Sequence, residues 1–146
     1  MAIQYSRTED LQACFDIRRQ VFIVEQNVPE NLEIDGLDTE CTHYLASNDD
    51  GKAIGTCRVR FTEECAKIER VAVLENMRGF GIGKGIMAYV IDDIAACKTM
   101  ADKNIRHIKL GAQIHAKDFY HNLGFTETGN PYMDAGIEHI DMVLKV

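Results

Sequence analysis

The sequence predicts a mixed fold, α/β or α+β, in which helices pack against a single sheet. Segments with strand-like and helix-like patterns alternate along most of the chain, as expected when helices cover a sheet. Residues 67–96 combine a β-branched strand, a glycine-rich loop and an amphipathic helix. Residues 137–146 alternate regularly between two faces, which is the pattern of a half-buried strand.

Composition limits the classes of function. The 146 residues, 46% hydrophobic and 27% charged, predict one soluble domain that spans residues 1–146. The net charge of −7 argues against a nucleic-acid partner. No apolar run reaches the roughly 20 residues of a membrane span, and no signal peptide is evident. Five scattered cysteines predict reduced thiols in a cytoplasmic protein rather than disulfides or a metal site.

A strand over residues 2–7 and a helix from residue 8 to about 26 are expected to begin the fold. Four residues recur on one face of this helix: Leu11, Phe15, Arg18 and Phe22. An arginine on an apolar face is seldom buried without a partner. Arg18 is therefore expected either to reach solvent at the rim of that face or to contact a ligand.

Residues 27–38 are rich in turn formers and acids, which predicts a loop or a broken short helix that could cover a site. Two strands should follow, over residues 43–47 and 53–60. The residues between them, Asn48, Asp49, Asp50 and Gly51, are a strong hairpin signal.

The glycine-rich loop carries the strongest functional signal. It follows a strand over residues 68–74, and every second residue from Gly79 to Gly85 is glycine. The helix after it, expected to end near residues 102–104, has apolar residues at three- and four-residue spacing. Glycines let backbone N–H groups surround an anion, and a helix start adds unpaired N–H groups and a positive dipole end. A glycine-rich turn without a ligand is the alternative.

Two common nucleotide-binding motifs do not fit this loop. A Walker A loop needs glycine at position 78 and a hydroxyl residue at 85, where the chain has arginine and glycine. A dinucleotide fingerprint that starts at position 79 or 81 needs a third glycine at 84 or 86, where the chain has lysine and isoleucine. The spacing that remains is Arg78-x-x-Gly81-x-Gly83.

Three more strands and a short helix are expected after the long helix. Residues 106–112 predict a strand, residues 116–122 the short helix, and the residues after Phe125 another strand. Residues 129–136 contain many turn formers and predict a loop. In the last strand, Ile140, Met142 and Leu144 should face one side, opposite the side of His139.

Two motifs together resemble the GNAT superfamily of acyl-CoA-dependent N-acetyltransferases. The first is Arg78-x-x-Gly81-x-Gly83, and the second is Tyr120-x-x-Leu-Gly-Phe125 about forty residues later. Residues 22–29, 112–115 and 136–140 are similar to the ElaA/YjcF-type subgroup. The glyphosate N-acetyltransferases are also similar, in the final segment Gly136-x-x-His139-Ile140-x-Met142 and elsewhere. The resemblance implies a mixed, mostly antiparallel sheet of about seven strands, flanked by about four helices and splayed between its central strands.

The resemblance implies that acetyl-CoA is the cosubstrate, without a metal. Its pyrophosphate should contact the glycine loop, which comprises Arg78, Gly79, Phe80, Gly81, Ile82, Gly83 and Lys84. Its pantetheine arm should pair with the backbone of the central strand at Val71, Ala72 and Val73. Tyr120 should lie beside the thioester sulfur as cofactor ligand and general acid, since a phenol with a pKa of about 10 is protonated at neutral pH.

Two residues compete for the role of general base. His139 is the first choice, because an imidazole with an unperturbed pKa of about 6.5 suits proton transfer at neutral pH and the matching histidine is the base in similar enzymes. Glu69 is the alternative, because some GNAT enzymes use a glutamate on the central strand. His43, His107 and His121 are expected to be structural or surface residues.

The acceptor site is assigned to five residues: Arg18, Gln26, Arg70, Gln113 and His115. Arg70 stands where glyphosate acetyltransferases bind an anionic group. If Arg18 converges on it, the acceptor amine should carry a carboxylate or phosphonate; a structural pair with a nearby acid is the alternative. Glyphosate itself is not expected, because Gln113 stands where those enzymes have a further arginine.

The predicted function is transfer of an acetyl group to a primary or secondary amine of a small molecule, by direct attack in a ternary complex. A non-catalytic acyl-CoA-binding module and a transferase for protein or peptide amines are the alternatives. A homodimer through the last strands is common in the family. No nucleic-acid or membrane partner is expected.

Overall fold

The computed structural model describes residues 2–97 and 105–146, with the backbone alone over residues 98–100. The elements follow in the order β1 (Gln4–Thr8), α1 (Leu11–Arg18), α2 (Glu30–Glu33), β2 (Thr42–Ser47), β3 (Ala53–Phe61), β4 (Cys65–Val73), α3 (Ile82–Met100), β5 (His107–Gln113), α4 (Lys117–His121), β6 (Thr126–Asp134) and β7 (Ile137–Lys145). A π-helical segment, Arg19–Glu25, extends α1.

The strands form one seven-stranded sheet in the order β1-β2-β3-β4-β5-β7-β6. Neighbouring strands are antiparallel except β4 and β5, which run parallel. This topology confirms the prediction of a mixed, mostly antiparallel sheet with about four helices, counted over the residues that the structure describes.

The loop predicted over residues 129–136 is wrong. Strand β6 continues to Asp134, and a two-residue turn at Ala135 and Gly136 leads into β7. Both turn residues have positive φ angles, 51° and 79°, as a tight hairpin turn requires. Turn-forming residues, a proline among them, are tolerated within β6 because it is an exposed edge strand.

Helix α1 packs through a face rotated from the one predicted. Leu11, Phe15 and Phe22 are only partly buried. The buried residues of this helical segment are Cys14, Ile17, Arg18 and Val21. These residues keep the i, i+3, i+4, i+7 spacing of one helical face, so the prediction had the period right and the direction of the buried face wrong. The predicted end of the long helix near residues 102–104 lies outside the described residues.

The main hydrophobic core lies between the sheet and α3. Helix α3 contributes a buried stripe at the predicted spacing: Ile82, Ile86, Met87, Val90 and Ile94. Ile140 and Met142 of β7 are buried in the same core, and Leu144 packs against it, as predicted. Neither α3 nor any other helix in the described ranges combines the length and hydropathy needed to cross a membrane.

The sheet opens between β4 and β5. Residues 65–67 pair with residues 107–109, and the described residues of these strands make no further pairs with each other. A β-bulge at Arg70, whose φ angle is 56°, shifts the register between β3 and β4. Ile68 therefore contacts the α3 core, whereas Ala72 contacts α1. The splay between the central strands is as predicted.

Candidate active site

A cleft of about 910 Å³ occupies the gap between β4 and β5. Most residues of the predicted site line it: Gln26, Glu69, Arg70, Val71, Ala72, Val73, Arg78, Gly79, Gly81, Ile82, Gly83, Lys84, Gln113, His115, Tyr120 and His139. Arg18 and Phe80 are the two predicted site residues that do not line the cleft.

The start of α3 forms one end of the cleft. Gly79 and Gly81 have φ angles of 87° and 77°, which residues with a Cβ rarely adopt. The N–H of Gly85 donates to the carbonyl of Gly81 at 3.0 Å, so the N–H groups of residues 82–84 precede the first helical bond and need other partners. Lys84 is exposed and makes no ion pair within the described residues. This end of the cleft therefore favours an anion.

Two residues of the glycine loop have different surroundings. A Cβ at Gly85 would overlap the Tyr5 hydroxyl, so the glycine lets the Tyr5 side chain of β1 pack closely against α3. The Phe80 side chain is 63% exposed, and Phe80 is not among the residues that line the cleft.

Arg78 holds a carboxylate of its own chain. Its two terminal nitrogens donate to the Glu25 oxygens at 2.6 and 2.8 Å, and its Nε donates to the Val73 carbonyl at 3.0 Å. The hydrogen bonds from Arg78 lower the pKa of Glu25, and Glu25 in turn raises the pKa of Arg78. The guanidinium group predicted to contact pyrophosphate is therefore already bound to Glu25.

The open edge of β4 presents alternate peptide groups to the cleft. The N–H of Leu74 donates to β3, so the backbone groups of Val71 and Val73 point away from β3, towards the gap. The carbonyl of Val73 is bonded to Arg78. Ala72 faces the other way, and its side chain is buried against α1. Val71 and the N–H of Val73 are therefore the groups placed to pair with an extended ligand.

Tyr120 lies on α4 in an aromatic cluster. Its ring packs edge-on against Phe119 and Phe125, with centroid distances of 5.0 and 6.0 Å. Burial raises the pKa of Tyr120, so the phenol keeps its proton at neutral and moderately alkaline pH. This is the protonation state that a general acid needs.

His139 lies on β7 and lines the cleft opposite Gln113 of β5. Its Nδ1 is 2.7 Å from the backbone carbonyl of Ile137. Because a carbonyl can only accept, Nδ1 carries the proton of the neutral imidazole and Nε2 keeps its lone pair. The ring therefore has one nitrogen available as a base.

Glu69, the alternative base, is held by two guanidinium groups. Arg58 donates to its carboxylate at 3.2 Å and Arg60 at 3.3 and 3.5 Å. A proton taken up by Glu69 would weaken these ion pairs. His139 meets less competition for its lone pair than Glu69 does.

A network of alternating charges lies beside Glu69 under the segment 30–40. This arginine–carboxylate cluster consists of Arg18, Arg58, Arg60, Arg70, Glu33, Asp35, Asp38 and Glu69. Burial opposes ionisation of Asp38, but hydrogen bonds from Arg18 and Arg58 outweigh it and hold the pKa of Asp38 below its usual value. Hydrogen bonds from Arg58 hold the pKa of Asp35 far below its usual range.

Arg18 and Arg70 converge on a carboxylate of the protein, Glu33, which is the structural pairing with a nearby acid given above as the alternative. Arg18 is 2.5 Å from Glu33 and 2.6 Å from Asp38, and only 1% of its side chain is exposed. Arg70 is 3.4 Å from Glu33 and 3.3 Å from Asp35. The expected contact of Arg18 with the acceptor is wrong for this conformation, because its guanidinium is buried and paired. Arg70 lines the cleft but is also paired.

Three polar side chains form a chain across the cleft wall. The Gln113 amide donates to the Gln26 side-chain oxygen at 3.0 Å, and its own oxygen is 2.6 Å from Nε2 of His115. This places Gln26, Gln113 and His115 together on the cleft wall.

The other histidines lie away from the cleft lining, as expected. His43 is buried and bonds the Asp38 carbonyl at 2.8 Å, and His121 contacts Glu127 at the surface. Within the described ranges, no group of three or more His, Cys, Asp or Glu side chains is arranged to hold a metal ion.

Sequence reasoning missed Glu25, Glu33 and Tyr132. Glu25 and Glu33 line the cleft, and Tyr132 stacks on His139. The acids at 33, 35 and 38 were a usable signal, because a buried Arg18 requires carboxylates nearby. Tyr132 had no such signal, since it lay in the segment assigned to a loop.

The chain matches the family model "Acetyltransferase (GNAT) domain" over residues 5–146. It is 34% identical to the N-acetyltransferase YjcF of Bacillus subtilis (strain 168), with 97% of each chain covered. It is 31% identical to the protein ElaA of Escherichia coli (strain K12), with 93% of this chain and 88% of ElaA covered. The crystal structure of ElaA superposes with a TM-score of 0.80, covering 97% of this chain and 99% of that chain at 29% identity. A solved aminoglycoside 6'-N-acetyltransferase complexed with coenzyme A shares the fold, with a TM-score of 0.73, 13% identity and coverage of 99% and 97%.

Proposed function

Because the chain belongs to the GNAT family of acetyltransferases, we propose that it transfers an acetyl group from acetyl-CoA to the amine of a small molecule by direct attack in a ternary complex. The observation that carries the proposal is the continuous cleft, which joins the anion-favouring start of α3, the open edge of β4, Tyr120 and His139. The solved neighbour with coenzyme A bound supports an acyl-CoA cosubstrate.

In this proposal the cofactor lies along the cleft from its pyrophosphate to its thioester. The N–H groups at the start of α3 and Lys84 bind the pyrophosphate. The pantetheine arm pairs with Val71 and the N–H of Val73, as an added strand does. Holding both substrates in one cleft makes attack effectively intramolecular, which supplies much of the rate.

The chemical step exchanges a C–S bond for a C–N bond. His139 removes a proton from the ammonium, either directly or through water, and the neutral amine attacks the thioester carbon. When the C–S bond breaks, Tyr120 donates its proton to the departing thiolate. The attacking nitrogen then loses its second proton, which restores the Tyr120 phenol. The products are the acetamide and free CoA, and the proton on His139 returns to solvent.

The charges around the cleft favour amines that lack an anionic group. Arg18 and Arg70, the candidates for binding a carboxylate, already bind Glu33, Asp35 and Asp38. Asp134 lines the cleft at the end of β6, next to the turn into β7 that carries His139, and it makes no ion pair within the described residues. Neutral or cationic amines should therefore outperform amino acids and aminophosphonates as acceptors.

A thiol-release assay with acetyl-CoA and a panel of amines tests the proposal. We expect turnover with at least one amine, and a loss on the order of a hundredfold in Tyr120→Phe and His139→Ala. His121→Ala, a surface change outside the cleft, should leave the rate unchanged. A rate that falls in Glu69→Gln but not in His139→Ala would assign the role of base to Glu69. CoA binding without turnover on any amine would favour an acyl-CoA-binding module, and no CoA binding would overturn the proposal.

A further inference from the structure

Tyr132 lies directly opposite His139 across the β6–β7 pair. The two rings are stacked, with centroids 5.9 Å apart and planes 21° apart. His139 lines the cleft, whereas Tyr132 is not among the lining residues. The contact is between a candidate base and a side chain that the proposed chemistry does not use.

A register shift in β6 creates this pairing. Thr128 pairs with Asp141, and without the shift Asn130 would stand opposite His139. Two extra residues in β6, next to Gly129 with a φ angle of 76°, bring Tyr132 into that position instead. Because of the bulge, the ring of Tyr132 lies beside the His139 imidazole in place of the side-chain amide of Asn130.

The hydroxyl end of Tyr132 is anchored on the neighbouring strands. Its O–H group donates to the Asp141 carboxylate, with an oxygen–oxygen distance of 2.6 Å. A Cβ at Gly111 of β5 would lie 2.5 Å from that hydroxyl, so the ring can take this position only because residue 111 is glycine. Burial and the hydrogen bond to Asp141 raise the pKa of Tyr132, so the donor proton is retained.

Two contacts together define the orientation of the His139 ring. The Ile137 carbonyl, 2.7 Å from Nδ1, fixes the edge and the tautomer, but it still permits tilting about that hydrogen bond. The stacked Tyr132 ring limits the tilt. The direction of the Nε2 lone pair therefore depends on both contacts.

We propose that Tyr132, anchored by Asp141 over Gly111, is a positioning residue for the catalytic base, and that it directs Nε2 of His139 towards the acceptor amine. The proposal rests on the proposed function, in which His139 is that base. Tyr132 itself touches neither substrate. Its removal should lower kcat and leave the KM for acetyl-CoA unchanged, because the cofactor contacts lie on β4 and α3.

The test compares Tyr132→Leu, Tyr132→Phe and Gly111→Ala with Met133→Ala, a matched control at the neighbouring, 65% exposed position. With the best acceptor from the amine panel, we expect kcat to fall about tenfold in Tyr132→Leu and Gly111→Ala, since misplacing a reacting group by about 1 Å can cost up to about a hundredfold. Tyr132→Phe keeps the ring and should recover part of the loss. Met133→Ala should match the wild type.

A double variant separates positioning from a general structural role. In a His139→Ala background, Tyr132→Leu should have no further effect on kcat, because there is no imidazole left to orient. An equal loss in both backgrounds, or an unchanged kcat in Tyr132→Leu, would overturn the proposal.

Nitrogen NMR of the His139 ring provides a readout that does not depend on turnover. The Ile137 carbonyl should keep the Nδ1–H tautomer in both proteins, but the Nε2 signal should broaden in Tyr132→Leu because the ring is then free to tilt. If His139→Ala keeps full activity, His139 is not the base and the proposed function needs revision. The NMR result then still decides whether Tyr132 orients the His139 ring. Identical spectra for the wild type and Tyr132→Leu would show that it does not.

Discussion

Arg18 and Arg78 make the same kind of ion pair in two different environments. Each donates to carboxylates of this chain at 2.5–2.8 Å. The Arg18 side chain is 1% exposed, and its partners Glu33 and Asp38 are buried with it. The Arg78 side chain is 42% exposed, and that of its partner Glu25 is 30% exposed.

The difference teaches which arginine a ligand can reach. Around Arg18 water is excluded, so breaking an ion pair leaves a charge that nothing solvates. Around Arg78 water solvates both partners, and the pair contributes little to stability. If a pyrophosphate binds at the glycine loop as proposed, it can therefore displace Glu25 from Arg78, whereas an acceptor carboxylate cannot displace Glu33 from Arg18.

The largest effect is expected from Arg18→Met, which leaves Glu33 and Asp38 buried without one of their cations. The free energy of unfolding should fall by about 3–5 kcal/mol in urea denaturation. The adjacent Arg19 is the matched control: it pairs with Glu30, and both side chains are about 60% exposed. Arg19→Met should change the free energy by at most about 1 kcal/mol. Equal losses in the two variants would contradict the distinction between buried and exposed pairs.

A smaller effect should appear as a pH dependence of stability. In the folded protein, Arg58 lowers the pKa of Asp35. Arg18 and Arg58 together lower the pKa of Asp38. Their contribution is therefore fully present above the unfolded pKa of about 3.9, and it is lost as pH falls through the lower folded pKa values. The urea midpoint should drop steeply below about pH 4, and less steeply in Asp35→Asn. Identical slopes in wild type and Asp35→Asn would exclude a role for this carboxylate.

The smallest effect is expected at the exposed pair. Glu25→Gln removes the internal competitor of pyrophosphate, so calorimetric titration should show CoA binding up to about fivefold tighter, the equivalent of about 1 kcal/mol. Arg78→Met should weaken CoA binding in the same assay. Glu30→Gln, which changes an exposed carboxylate outside the cleft lining, is the control. Weaker CoA binding in Glu25→Gln would mean that Glu25 orients Arg78 for the cofactor instead of competing with it.

Much of the fold could be predicted from local patterns. The strand before the glycine loop, the apolar stripe of α3 and the alternation of β7 each arise from neighbours in sequence, so their periods are visible in the printed chain. The loop predicted over residues 129–136 failed because β6 is an exposed edge strand. Its residues need no apolar alternation, and its bulge imitates a turn.

The candidate site divides in the same way. The sequence by itself determined the glycine loop, the position of Tyr120 at the start of its motif and the placement of His139 opposite the apolar face of the last strand. These features depend on residue type and short spacing, which folding does not change. The homodimer and the cytoplasmic location remain predictions.

Only the tertiary structure decided the partners of the charged and aromatic side chains. Arg18 meets Glu33 and Arg78 meets Glu25, pairs separated by 15 and 53 residues in the chain. Tyr132 meets His139 through a register shift that depends on the pairing of β6 with β7. Ion pairing and stacking follow distance and burial, and these are set by how distant segments pack rather than by local pattern.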